Sequence, residues 1–181
     1  MALDPNEPVG LDAAKLHLRV DTDDQDSAIE GYILAARRRI ETRTGHILLR
    51  REVTRSYASF DAVKVREFPI VLDEALALEY LDAASASQTF TDFRLSTATR
   101  PGRLYLASGA TWPGIATADD AVTLTFTAGY EDPDAVPAEF KEAILLLVGH
   151  FFEARATAEP AQAVQDAVDY LLVDYRLPAL A

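Results

Sequence analysis

The sequence predicts an α+β fold, in which a helical bundle built from the N-terminal and C-terminal helices carries a β-strand-rich insertion. Three observations predict it. Apolar residues recur at helical spacing over residues 11–44. They alternate with polar residues at a period of two over much of residues 47–128. The helical spacing then returns from Pro137 to Leu172. At 181 residues the chain suits one domain, or one domain with an insertion. Its 49% hydrophobic and 25% charged residues are ordinary globular values and exclude global disorder.

The first helix begins at Leu11, with apolar positions at Leu11, Ala14 and Leu18; Pro8 and Asp12 suit its start. Asp21-Thr22-Asp23-Asp24 is a polar break rich in N-cap candidates. The second helix is expected from Gln25 to Thr44, with Ile29, Ile33, Ala36 and Ile40 as its apolar stripe, Tyr32 widening it, and Gly45 as C-cap. Arg37, Arg38, Arg39 and Arg43 fall in its last turns. There they complement the helix dipole and can pair with Glu41 and neighbouring acids, a better reading than nucleic-acid binding.

Six strand candidates follow: 51–57, 63–69, 76–81, 93–95, 103–106 and 122–127. Residues 82–85, Pro101-Gly102 and Trp112-Pro113-Gly114 punctuate them as turns, and the Trp112 indole is expected to pack on the sheet. Pro137 suits the first position of a third helix running to about residue 155. Its face of Phe140, Ile144, Leu147, Val148, Phe151 and Phe152 is wide enough for a central core helix packed on Ile29, Ile33 and Ile40. Residues 156–160 read as a loop and Ala161–Leu172 as a shorter helix.

Composition removes several functions. With no cysteine there is no disulfide framework, thiolate metal site or cysteine nucleophile. The net charge of −12 argues against wrapping around nucleic acid. Residues 104–181 hold Lys141, Arg155 and Arg176 as their bases against 12 acids, a field that repels DNA and anionic membrane. The opening MALDPNEPVG lacks a cationic start and an apolar run, so no signal peptide is expected. Ala143–Phe152 is too short to span a bilayer.

Chemistry-bearing motifs are missing. His17, His46 and His150 stand apart without metal-ligand spacing, and His150, on an apolar helix face, is expected to be a hydrogen-bonded core or interface histidine. Asp21, Asp23, Asp24 and Asp26 mimic a calcium loop but lack its glycine and closing glutamate, which favours a solvated capping turn. No nucleophile elbow or phosphate loop occurs, and spacing selects no carboxylate pair. No catalytic residue, cofactor or metal is expected.

Several segments together resemble the head–tail connector (adaptor) proteins of long-tailed phages and phage-like gene transfer agents. They are Leu11–Asp21 with the acidic turn and the helix ending Arg43-Thr44-Gly45, Pro101-Gly102-Arg103-Leu104 with Trp112-Pro113, Val122–Tyr130, Val136–Glu153, and Leu171-Leu172 with Tyr175-Arg176. The resemblance spans about residues 11–177. It implies a single adaptor domain over 1–181, with a β-rich insertion at about 47–128. It also implies a structural role: a ring, usually of twelve copies, between the capsid portal and a stopper or tail-completion protein, located in a virion or phage-like particle assembled in a bacterial host's cytoplasm. DNA passes through the lumen without specific binding, and no membrane is involved. The chain alone is then expected to be a monomer or weak oligomer that closes into a ring on its portal. Two other readings stay open, another tail-completion or terminator module and a hydrolase with an unrecognised carboxylate pair.

The tail, residues 173–181, is expected to leave the body and dock in a portal groove. Tyr175, Leu177 and Leu180 would be apolar anchors and Arg176 would meet a carboxylate, with Pro178 stopping any helix. The alternative is that Tyr175 and Leu177 fold back on the parent bundle.

Overall fold

Helical and alternating apolar patterns occupy separate stretches of the chain, and each forms its own compact unit. The computed structural model describes residues 3–74, 76–154 and 161–176. In chain order the elements are α1 (Leu11–Leu18), α2 (Asp26–Thr44), β1 (Arg51–Tyr57), β2 (Lys64–Val65), β3 (Ile70–Val71), β4 (Ala77–Leu81), β5 (Ser87–Phe90), β6 (Phe93–Ser96), β7 (Gly102–Leu106), β8 (Val122–Ala128), α3 (Ala138–Glu153) and α4 (Gln162–Leu171). Helices stand at both ends with strands between, the α+β arrangement that the periodicities predict. One unit comprises residues 1–49 and 130–181; the other is Arg50–Gly129.

The β unit is organised by β8. Its residues alternate without a break: Val122, Leu124, Phe126 and Ala128 are fully buried, and Thr123, Thr125 and Thr127 are half-buried on the other face. All seven residues pair antiparallel with β1, from Arg51↔Ala128 to Tyr57↔Val122. The opposite edge of β8 is shared by β4, from Ala77↔Thr125 to Tyr80↔Val122, and by β3, which takes Thr127 and Ala128; β5 extends the sheet beyond β4. A second, three-stranded antiparallel sheet has the order β2-β7-β6. Gly102 opens β7 where a Cβ would stand 3.2 Å from the Ser96 carbonyl oxygen, so the ladder there leaves little room for a side chain. Trp112 packs inward as expected: its indole stacks on Phe60 at 4.4 Å between centroids and meets Phe90 at 5.2 Å.

Two short strands, β3 and β5, are additions to the sequence reading. Ser87-Gln88-Thr89 is polar and exposed on both faces, so it carries no alternation to detect. Ile70-Val71 is too short to show a period and is defined by its distant partners in β8, Ala128 and Thr127.

In the helical unit, α3 is the core element. Phe140, Ala143, Ile144, Leu147, Val148 and Phe151 are buried against Ile29, Ile33, Ala36 and Ile40 of α2, with Ala14 of α1 and Val168 of α4 in the same cluster. Gly45 ends α2 in the left-handed region (φ 73°), its N–H donating 2.8 Å to the Glu41 carbonyl, as a C-cap glycine does. The start of α2 differs from expectation. No aspartate side chain caps it; the N-cap is Gln25. The acidic turn is drawn instead to Lys15 of α1, whose ammonium lies 2.6 Å from Asp23 and 2.8 Å from Asp26. That pairing, led by the hydrogen bond from Lys15, holds the Asp23 carboxyl below its usual range.

One ionic group lies inside this unit. Arg37 of α2 is 7% exposed and its Nε donates to both carboxylate oxygens of Glu7, at 3.1 and 2.9 Å. Its Nη1 donates to Glu41 Oε2 at 3.2 Å, and Glu41 Oε1 accepts the Leu48 backbone N–H at 2.8 Å. The guanidinium therefore ties the segment before α1 to α2, and Glu41 ties α2 to the chain leaving it. Burial pushes the Glu7 carboxyl above its ordinary range, and the charge and hydrogen bonds of Arg37 pull against that push.

Leu147→Ala should destabilise the chain by about 2–5 kcal/mol in denaturant melts, the range for emptying a buried leucine site; a loss below roughly 0.5 kcal/mol would show that the α3 face is not core. Arg37→Ala should cost about 3–5 kcal/mol because it strands two buried carboxylates, and Glu7→Gln in the same chain should recover part of it. The pH dependence has a definite sign. Glu7's folded pKa lies above its unfolded value, so its ionisation costs stability as pH rises through the folded value. Without Arg37 that cost grows, and the Arg37→Ala penalty should shrink as melts move from about pH 7 toward about pH 5. A penalty independent of pH would exclude Glu7 as its source.

Candidate functional site

Of the residues singled out by the sequence, Tyr175 and Arg176 lie at the C-terminal end of the helical unit. There Val168 of α4 and Leu172, its C-cap, enter the core, and a single 3₁₀ turn, Val173–Tyr175, follows. The turn carries Tyr175 back onto the bundle. Its ring centroid lies 4.5 Å from that of Phe140 and 5.4 Å edge-on from that of His46, and its hydroxyl donates to Glu139 at 3.2 Å. Partial burial, then the Glu139 carboxylate, hold the Tyr175 hydroxyl above the usual phenol range, so at neutral pH it stays protonated and able to donate.

His46, the residue after the Gly45 cap, is the hub of this aromatic group. Its Nδ1 lies 3.2 Å from the Tyr130 hydroxyl, and its ring is 5.0 Å from Phe140. Arg176 does meet a carboxylate, but within its own chain. Asp169 of α4, seven residues back, pairs with Arg176 and also with Arg43 of α2. The expectation that the tail leaves the body at Val173 is therefore corrected. Through Arg176 it stays on the helical unit, because Tyr175 finds an aromatic seat and Arg176 an acid there. Leu177 and Leu180 lie outside the described residues. The same end also presents apolar side chains outward: Tyr170 is 82% exposed and Val173 59%.

Nothing in the sequence marked His46 or Asp169. His46 acquires its role from Tyr130, Phe140 and Tyr175, all more than 80 residues away. Asp169 is one of many acids on a helix, and only the fold brings Arg43 to it. His150 lies on α3. Its ring is half-buried against the edge of Phe151, but its Nε2 has no hydrogen-bond partner among the described residues. Among those residues no group of three or more His, Asp or Glu is placed to hold a metal ion. A cleft of ≈ 490 Å³ in the β unit is lined by Ala58 and Ile115–Asp119, with Asp119 its one titratable side chain. No described helix is long and apolar enough to cross a membrane.

Residues 9–78 match the family model of phage gp6-like head-tail connector proteins. No curated protein sequence matches the chain significantly. Among solved structures, the whole chain aligns with a chain from the neck of an empty gene transfer agent (GTA) particle computed with C6 symmetry, at 24% identity and a TM-score of 0.77 over 95% of that chain. It also aligns over its full length with 95% of a chain from the virion of a native GTA particle, at 25% identity and a TM-score of 0.74. A third alignment covers 96% of a chain from a native GTA neck computed with C12 symmetry, at 24% identity and a TM-score of 0.71. The chain is thus similar over residues 9–78 to the phage gp6-like head-tail connector proteins, and over its whole length it has the fold of a chain found in gene transfer agent particles.

Proposed function

We propose that this chain is a structural adaptor subunit, not an enzyme, at the head-tail interface of a phage-like particle. Copies form a ring between the capsid portal and a stopper or tail-completion protein, and DNA passes through the lumen without specific binding. The observation that carries the reading is the full-length likeness to a chain of a native GTA virion, reinforced by the connector-family match over residues 9–78. A neck computed with C12 symmetry supports twelve copies as the ring size. The net charge of −12 suits a channel wall from which phosphates gain nothing. The two units act as parts of one subunit, the β unit being an insertion in the helical adaptor body.

The C-terminal end docks on the portal. Tyr175 and Arg176, already seated on the body, form the root that fixes where the tail departs, and Leu177 and Leu180 are its anchors. The outward Tyr170 and Val173 enlarge the apolar surface at that root. A seated root shortens the segment that must be ordered on docking, at about 1–2 kcal/mol per residue, and many tails around a ring reinforce one another.

Electron microscopy of purified particles with this subunit located tests the ring, its copy number and its neighbours together. Removing residues 177–181 should leave the melting curve unchanged and abolish joining to portal-bearing heads. Tyr175→Ala should instead cost about 1–3 kcal/mol, as expected for a half-buried aromatic contact. Normal joining by the truncated chain would exclude the tail as the docking element, and failure of that chain to fold would assign the tail to the core.

A further inference from the structure

The three-stranded sheet β2-β7-β6 contains no Asp or Glu and carries three cations on one face. Lys64 and Arg103 are direct cross-strand partners, as are Arg103 and Ser96, and Arg94 and Tyr105. Side chains two apart on a strand, such as Arg103 and Tyr105, share a face. The exposures agree: Lys64, Arg94, Arg103 and Tyr105 are exposed, while Val65 and Leu95 on the opposite face are buried. The Arg94 guanidinium lies over the Tyr105 ring, 4.9 Å from its centroid, and Tyr105 is 45% exposed. Lys64, Arg94 and Arg103 enter no ion pair among the described residues. Like charges placed directly opposite on a sheet destabilise it, so the Lys64–Arg103 pair works against the fold that contains it.

The rest of the charge is distributed to match. The helical unit, residues 1–49 and 130–181, has 19 acids against 9 bases, whereas the β unit has 10 against 8. Within the helical unit, Glu131, Asp132, Asp134, Glu139 and Glu142 are exposed around the start of α3, with Lys141 the one base among them. Copies that each carry −12 repel one another unless opposite charges meet where they touch.

We propose that the cationic face of β2-β7-β6 is the contact by which one copy binds the acidic stretch 131–142 of the next copy. The inference rests on the ring reading of the preceding subsection and adds which surfaces close the ring. The contact is head-to-tail, because the two surfaces differ, and such contacts generate rings when the rotation closes. The cross-strand repulsion of Lys64 and Arg103 is relieved when a neighbour's carboxylates arrive. The Tyr105 ring under Arg94 holds that guanidinium in place for them.

The test uses the full chain in particles and in solution. Lys64→Glu/Arg94→Glu/Arg103→Glu, all at exposed positions, should fold by circular dichroism and melting but lose at least tenfold in neck occupancy seen by electron microscopy. The same triple change combined with Glu131→Lys, Asp134→Lys and Glu142→Lys should restore occupancy, since both surfaces are then reversed. A milder Lys64→Gln/Arg103→Gln chain serves if the triple variant fails to fold, and should lower occupancy in the same direction. Sedimentation of the wild-type chain should show weak self-association that fades as salt is raised through about 0.1–0.5 M, where screening shortens. Wild-type occupancy by the triple variant would overturn the proposal while leaving the adaptor reading intact. Absence of the wild-type chain itself from the neck would overturn both. The DNA alternative is read with a fluorescent duplex: binding by wild type that the triple variant loses, with neck occupancy unchanged, would make the face a DNA contact and overturn the proposal.

Discussion

One guanidinium holds three parts of the helical unit in register. Arg37 reaches back from α2 to Glu7 and along its own helix to Glu41, and Glu41 accepts the Leu48 amide. Glu7 is followed closely by Val9, which enters the core, so fixing the carboxylate also fixes the approach to α1. Leu48 is buried in the same core, so fixing its amide sets the path by which the chain leaves α2. Two carboxylates on one buried cation are a costly arrangement, and a well-packed apolar group could be as stable. What the ionic group adds is direction: the planar guanidinium fixes where its N–H groups point, Nε–H to the two Glu7 oxygens and Nη1–H to Glu41. The aromatic seat of Tyr175 rests on the framework so fixed, because His46 lies between Glu41 and Leu48.

Charge is the second organising constraint. The helical unit holds most of the negative charge, and the small sheet presents cations that enter no ion pair among the described residues. A monomer would gain nothing from this segregation. For the ring subunit proposed above, an overall negative charge with one locally positive face would serve both contact between copies and repulsion of DNA. The turn after α4 is a third such element, seated by Tyr175 and Arg176 while Tyr170 and Val173 face outward.

Much of this was readable in the residues. The helices sit where the apolar spacing put them, because a helix needs only its own stripe to declare itself; α2 runs from Asp26, one residue inside the expected start. β1, β4, β6, β7 and β8 were legible for a like reason: their own residues alternate. The site was less legible. Tyr175 and Arg176 stood out as a tyrosine and an arginine near a chain end, but their partners Phe140, His46, Glu139 and Asp169 could not be chosen from many similar residues.

By itself, then, the sequence determined the α+β class, the helices, the alternating strands, the α3 core face and the absence of any motif for catalysis. These depend on local periodicity and residue chemistry, which the chain carries in order. Tertiary structure alone decided that Arg37 would be buried between Glu7 and Glu41, that polar Ser87–Phe90 would become a strand, and that Lys64 would stand opposite Arg103 on an acid-free face. Each of those is a pairing between distant residues. A pairing energy exists only after the chain has closed the loop between its partners, so no local pattern records it.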